Sequence, residues 1–153
     1  MANHSYIKSQ RVIFSDGTIR PATVMIQDEK VADIFDYATN PRGTPGIDVG
    51  SSVLMPGLVD THVHINEPGR TEWEGFRTAT QAAAAGGITT VVDMPLNSIP
   101  ATTTVAALLT KEESARGHCM IDFGLWGGVV PGNAGELALM ADKGALGFKA
   151  FLI

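Results

Sequence analysis

The pattern of apolar and polar residues changes character near residue 54. Before that point, short runs rich in β-branched and apolar residues are separated by turns. Asp16-Gly17 lies between the first two runs, and an Asp-Gly pair in this position predicts a hairpin. Residues 1–53 are therefore expected to form a small β domain. The predicted extended segments are Tyr6–Phe14, Thr18–Ile26, Val31–Phe35 and Ile47–Leu54.

From residue 54 onward the pattern becomes strand, loop and helix, repeated. The strands are nearly continuous apolar runs, and each of the first three is followed by a segment of helical periodicity. Such alternation predicts a parallel sheet covered by helices, in either an open doubly wound sheet or a closed barrel. The predicted strands are Leu58–Ile65, Ile88–Met94, Ile121–Val130 and Gly147–Ile153, and the predicted helices run over 71–85, 104–116 and 133–144.

The first of these helices has a recognisable start in the sequence. Thr71 and Glu74 have the spacing of a capping box, in which two side chains satisfy opposite free amides. Trp73 and Phe76 recur at helical spacing after it, so both are expected to serve in helix packing rather than to contact a substrate. The last strand, by contrast, has no helix after it and would leave an exposed sheet edge. The parallel unit is therefore expected to be half of a larger structure and to self-associate.

Composition and charge argue against several classes of protein. The 153 residues include 11 Lys and Arg against 16 Asp and Glu, a net charge of −5, which argues against a general binder of nucleic acid or anionic membrane. The single cysteine, Cys119, forms no disulfide within the chain and is expected to be a small buried residue. There is no secretory signal pattern and no apolar run long enough to span a membrane. These features predict a soluble, cytoplasmic protein.

The strongest chemical signal is a histidine pair at the end of the first parallel strand. His62 and His64 are two residues apart, so on a strand both imidazoles face the same side and can bind one metal ion. In a parallel α/β fold, sites form at the carboxyl ends of the strands, where this pair lies. Asp60 and Asp93 are candidates for orienting a metal ligand without binding the metal themselves, although a structural role is the more ordinary interpretation.

Longer motifs around this pair identify a family. The segment from Asp60 to Phe76, Asp-Thr-His-Val-His-Ile-Asn-Glu-Pro-Gly-Arg-Thr-Glu-Trp-Glu-Gly-Phe, resembles the first-strand signature of the cyclic amidohydrolases. Within that family it is most similar to the branch that acts on allantoin. Further matching segments are Ala82–Thr90, Asp93–Ser98 and Gly147–Phe151.

The resemblance implies a fold and a metal centre. It implies an eight-stranded β/α barrel, flanked by a β-sandwich that both chain ends build. The expected domains are thus residues 1–53, the N-terminal part of the sandwich, and 54–153, the first four strands and three helices of the barrel. It also implies two divalent metal ions, expected to be Zn²⁺, held by His62, His64 and an N6-carboxylated Lys149 that bridges them.

The chemistry explains why a lysine is suited to that position. An ammonium repels a metal cation, whereas the neutral amine can add carbon dioxide and become a carbamate with anionic oxygen ligands. Outside the family context, Lys149 would instead extend to solvent from its strand. The family's remaining ligands, two histidines and an aspartate that serves as acid and base, have no counterpart here, because the chain ends four residues after Lys149. The 153 residues alone are therefore predicted to lack a complete active site.

The resemblance also implies a substrate, a small cyclic ureide. In dihydroorotase relatives an arginine that binds the substrate carboxylate lies two residues after the second histidine, and here that position is the uncharged Asn66. Asn66 and Asn97 are therefore predicted to contact a neutral ring, and hydrolysis of allantoin to allantoate, in purine catabolism, is the expected reaction. Dihydroorotase and hydantoinase or dihydropyrimidinase activities remain alternatives within the same chemistry. An inactive barrel fragment or interaction module is the alternative of another class.

Overall fold

The computed structural model describes residues 4–152. In that part of the chain the strands are β1 His4–Ile13, β2 Ile19–Gln27, β3 Lys30–Phe35, β4 Gly46–Asp48, β5 Val53–Leu54, β6 Leu58–Val63, β7 Ile88–Asp93, β8 Asp122–Gly128 and β9 Gly147–Lys149. The helices are α1 Phe76–Ala85, α2 Val105–Ala115 and α3 Ala134–Asp142. The chain divides into two compact units, Met1–Pro56 and Gly57–Ile153.

The first unit is built on one mixed sheet. Its strand order is β3-β2-β1-β4, with β5 also paired to β1. The pairs β1–β2 and β2–β3 are antiparallel, whereas β4 and β5 run parallel to β1. The predicted hairpin is confirmed: Gly17 has a φ of 81° and Asp16 accepts a hydrogen bond from the Thr18 amide at 2.9 Å. The predicted extended segment 47–54 is instead two short strands, β4 and β5, separated by a turn.

The second unit is a parallel sheet with the order β6-β7-β8-β9. The helices α1, α2 and α3 connect these strands in turn, as the alternating pattern predicts. Its core is formed by side chains of the strands, the helices and the loop after β6, namely Ile65, Phe76, Leu108, Ala115, Leu125 and Met140. Within residues 4–152, no helix is both long and apolar enough to cross a membrane.

The start of α1 differs from the prediction. The helix begins at Phe76 rather than near Thr71, and Gly75 is its N-cap. The amide of Phe76 donates to Glu67 Oε2 at 2.9 Å, so a carboxylate nine residues earlier supplies the cap that Thr71 was expected to provide. The residues before Gly75 form turns, in which the Trp73 amide donates to the Arg70 carbonyl at 3.0 Å.

This shift changes the environment of one predicted core residue. Phe76 is fully buried, as predicted, and its ring lies 5.7 Å from that of Phe123. The prediction for Trp73 is wrong: its side chain is 67% exposed, and the Arg70 guanidinium lies 5.0 Å from its ring. Trp73 precedes the helix, so helical spacing does not place it on the buried face.

The fourth parallel strand is also shorter than predicted. It spans Gly147–Lys149, and residues 150–152 have no regular secondary structure. Its partner β8 ends at Gly128, directly opposite Lys149. One further bond, from the Val129 amide to the Lys149 carbonyl at 2.8 Å, closes the ladder. Ile153, the last residue of the predicted strand, lies outside the described residues.

Candidate metal centre

The predicted site residues lie at the carboxyl edge of the parallel sheet. Val63, the last residue of β6, is opposite Asp93, the last residue of β7. Asp93 is in turn opposite Leu125, and β8 continues to Gly128, which is opposite Lys149. Side chains that follow these strand ends therefore share one edge, where parallel α/β folds form their sites.

A bulge in β6 contains His62, the first residue of the histidine pair. Asp60 is opposite Val91 and Val63 is opposite Asp93, so three steps on β6 match two steps on β7. The Asp60 carboxylate accepts a hydrogen bond at 3.0 Å from the backbone amide of His62, within the bulge. Asp60 thus orients His62 through the backbone of the strand rather than through its ring.

The two imidazoles lie side by side and are exposed. The ring centroids of His62 and His64 are 5.3 Å apart, with an angle of 52° between the ring planes. Neutral imidazole nitrogens are common metal ligands, and two rings on one side of a strand end can share an ion. The geometry therefore agrees with a pair of ligands at the end of β6.

His64 is held by a side-chain amide from the loop after the neighbouring strand β7. Its Nδ1 lies 2.7 Å from Asn97 Oδ1, in the loop after β7. With Asn97 Oδ1 facing the ring, Nδ1–H donates and the lone pair of Nε2 is left free to bind a metal. Asn97, predicted to contact substrate, thus also orients a histidine.

Behind the histidines lies a buried ion pair. Asp93 and Lys111 are each 1% exposed, and Lys111 Nζ lies 2.6 Å from Asp93 Oδ2. The same Nζ donates to the Ile65 carbonyl at 2.9 Å, while the Ile65 amide donates to Asp93 Oδ1. Burial raises the pKa of Asp93 and lowers the pKa of Lys111, and the opposite charge of each partner offsets part of that change.

Lys111 was missed by the sequence interpretation, although a signal was present. It lies on the buried stripe of α2, together with Ala107, Leu108 and Ala115. A lysine on the apolar face of a helix is seldom fully buried without a partner, so the stripe indicates a buried carboxylate nearby. That carboxylate is Asp93, at the end of the apolar strand β7.

The other predicted site residues are Lys149 and Asn66. Lys149 is half-buried at the end of β9, and its Nζ lies 5.5 Å from the Phe151 ring centroid. Asn66 is 8% exposed, and its backbone is bonded to Glu74 and Arg70. Among residues 4–152, no group of three or more His, Cys, Asp and Glu side chains is arranged to hold a metal ion.

These observations test how far the residues fit a divalent metal. The oriented imidazole of His64 and the adjacent ring of His62 suit zinc, which takes nitrogen ligands from neutral histidines. Two histidines fill only part of a coordination shell, because zinc sites need at least three protein ligands. The pair therefore fits as one portion of a metal site.

Comparison with known protein families shows that the sequence model of the Amidohydrolase family matches residues 53–144. This match covers more than half of the chain. The chain belongs to the amidohydrolase family. This confirms the resemblance seen in the strand motifs. The matched region contains both histidines at the end of β6 and the Asp93–Lys111 pair.

Individual amidohydrolases resemble nearly the whole chain. An allantoinase of Streptomyces avermitilis is 55% identical over 147 residues, which cover 95% of this chain and 33% of that enzyme. A protein named mitochondrial allantoinase from Aquarana catesbeiana is 50% identical over 150 residues, covering 97% of this chain and 31% of that protein. The chain thus spans about a third of the length of the curated relatives it matches.

A solved structure supports the fold. The L-hydantoinase (dihydropyrimidinase) from Arthrobacter aurescens superposes with a TM-score of 0.84 at 39% identity, covering 94% of this chain and 32% of that one. The mixed sheet and the parallel sheet with its helices are therefore consistent with part of an amidohydrolase barrel and the strands that accompany it.

Proposed function

We propose that the protein containing this chain hydrolyses a cyclic ureide with the help of divalent metal ions, opening allantoin to allantoate. The observation that carries the proposal is the pair of adjacent imidazoles at the end of β6, with His64 Nδ1 2.7 Å from Asn97 Oδ1. Support for allantoin comes from relatives of that name at 55% and 50% identity.

The chain's own residues would serve a metal centre in distinct ways. His62 and His64 would bind one ion, and Lys149, carboxylated on Nζ, would bridge it to a second, with zinc as the expected metal. The ions, when bound, would lower the pKa of the attacking water and polarise the ring carbonyl. Asn97 would hold the ring of His64, and Asp60 would hold the backbone of His62.

The substrate preference is proposed to depend on Asn66. This residue is largely buried and uncharged, so it can accommodate a neutral ring but cannot form an ion pair with a carboxylate. A substrate anion brought close to it would lose hydration without gaining a cationic partner. Allantoin, which has no carboxylate, is therefore favoured over dihydroorotate.

Hydantoin ring opening is the second candidate. The structural likeness to the L-hydantoinase from Arthrobacter aurescens favours it, since that superposition has a TM-score of 0.84. Hydantoin is also neutral, so the argument from Asn66 does not separate the two substrates. The size and polarity of the ring substituent would do so.

The domains, the oligomeric state and the cellular location are further parts of the proposal. We propose that residues 1–53 contribute to a β-sandwich and residues 54–153 to a barrel, which the mixed sheet and the parallel sheet support. A homo-oligomer without nucleic-acid or membrane partners is proposed for the whole protein. The half-buried single cysteine, Cys119, suits the reducing cytoplasm.

The test uses the full-length protein, supplied with zinc and bicarbonate. The catalytic efficiency kcat/KM is measured on allantoin, hydantoin, dihydrouracil and dihydroorotate, and allantoin is expected to have the highest value. His62→Ala should abolish turnover, whereas His118→Ala, an exposed histidine after α2, should leave it unchanged. A higher efficiency on hydantoin or dihydroorotate, or turnover that survives His62→Ala, would overturn the proposal.

A further inference from the structure

The peptide groups on both sides of Ile65 are held by one buried ion pair. Asp93 Oδ1 accepts the Ile65 amide, and Lys111 Nζ donates to the Ile65 carbonyl at 2.9 Å. The two charged groups are 2.6 Å apart and each is 1% exposed. Ile65 is itself fully buried, and it directly follows His64.

Stability alone is a poor explanation for this arrangement. Burying two charges removes both from water, and a well-packed apolar pair of similar volume is often as stable or more so. A buried pair instead specifies one arrangement of the groups around it. Here it joins the end of β7 and the middle of α2 to the backbone that leaves β6.

We propose that Lys111 and Asp93 are positioning residues that hold His64 for metal binding by clamping the backbone of Ile65. The inference rests on the proposed function, because it takes His64 as a metal ligand. The clamp fixes the main chain after His64, and Asn97 fixes the imidazole at Nδ1. Together they leave the ring little freedom before a metal arrives, so less conformational entropy is lost on binding.

A matched pair of double variants separates positioning from stability. Both carry Asp93→Asn, which keeps an acceptor for the Ile65 amide and removes the buried negative charge. One adds Lys111→Met and the other Lys111→Gln, which have side chains of similar length and no charge. Only glutamine has an amide that can donate to the Ile65 carbonyl.

The measurements are made on the full-length protein. Zn²⁺ affinity is determined by competition with a chromophoric chelator, the visible spectrum is recorded with Co²⁺, and thermal unfolding is followed in the metal-free protein. We expect the methionine double variant to lose about 10- to 100-fold in zinc affinity. This is the range typical for mutation of residues that hold a metal ligand in place. The glutamine double variant should recover part of that loss and keep a Co²⁺ spectrum closer to the original.

Lys143→Met is the control, because Lys143 is exposed at the end of α3 and should change neither affinity nor spectrum. Equal zinc affinities for the two double variants would overturn the inference, whatever their unfolding temperatures. So would a methionine double variant that binds zinc as tightly as the original protein.

A separate variant shows which proposal fails. If His64→Ala leaves zinc affinity unchanged, the proposed metal centre is wrong. If His64→Ala weakens zinc binding while both double variants bind as the original does, only the role of Lys111 and Asp93 is wrong.

Discussion

Individual side chains hold the candidate site from several directions, and Asn97 contacts the imidazole ring of a proposed ligand. Its Oδ1 lies 2.7 Å from His64 Nδ1. Acceptors in this position select the tautomer of a ligating histidine and raise the basicity of the other nitrogen. The contact links a loop residue after β7 to the chemistry at the end of β6.

Asn97→Ala should therefore weaken zinc binding by the full-length protein about 10-fold, because one hydrogen bond to a metal-binding histidine is lost. Asn97→Asp is the matched comparison, because a carboxylate accepts from Nδ1–H at least as well as an amide does. Chelator competition measures both affinities. Tight zinc binding by Asn97→Ala would show that the histidine is oriented without this contact.

A second residue-scale feature concerns Asp48 in the first unit. Its Oδ1 accepts from the Gly50 amide at 2.9 Å, and the Tyr37 hydroxyl donates to its Oδ2 at 2.9 Å. These two hydrogen bonds, the Gly50 bond foremost, lower the pKa of Asp48. A lowered folded-state pKa means that the carboxylate contributes stability above its unfolded pKa, and that this contribution is lost as pH falls through the folded value.

Tyr37→Phe should therefore raise the pKa of Asp48 part of the way to its ordinary value, since the Gly50 bond remains. The stability lost at acid pH should shrink with it. An NMR titration of the carboxyl carbons measures the change, and Asp16 is an internal control because its pKa is lowered by Thr18 instead. An Asp48 pKa that does not move would contradict the assigned role of the hydroxyl.

At the scale of elements, Trp126 of β8 links strands that are not neighbours. Its indole Nε1 donates to the Thr61 carbonyl of β6 at 2.9 Å, across the intervening β7. On its other side the ring covers Gly147 at the start of β9, where an added Cβ would lie 2.4 Å from Cζ3. Glycine is needed at that position because the indole occupies the space of a side chain.

Gly147→Ala should push the indole away from Thr61 and destabilise the protein by about 1–3 kcal/mol, the usual range for overpacking. Gly135→Ala, in α3, is the opposite control: no atom lies within 4 Å of the added methyl. Replacing a helical glycine by alanine should stabilise by roughly 0.5–1 kcal/mol. Denaturant unfolding measures both, and a neutral Gly147→Ala would refute the close approach.

At the scale of the whole molecule, the chain combines two units with different architectures. The mixed sheet of Met1–Pro56 has antiparallel and parallel pairs, whereas Gly57–Ile153 has a parallel sheet and all three helices of the described residues. The predicted metal ligands all belong to the second unit. The chain spans about a third of its curated relatives, so the proposed activity concerns the longer protein.

The sequence by itself determined the order of strands and helices and the histidine pair. These features depend on neighbours two to four residues apart, and the side-chain period of a strand or helix is set locally. The hairpin at Asp16-Gly17 and the family signature around His62 are likewise set by residues close together in the sequence. The motif and the elements could therefore be predicted before the fold was known.

Tertiary structure alone decided how those residues are held. Lys111 and Ile65 are 46 positions apart and Asp93 and Ile65 are 28 apart, so their contacts exist only once the strands pair and α2 packs against the sheet. Likewise, Glu67 replaces Thr71 at the start of α1 because the loop folds back over the helix end. A carboxylate pairs with whichever donor packing brings to it, and local sequence does not specify that choice.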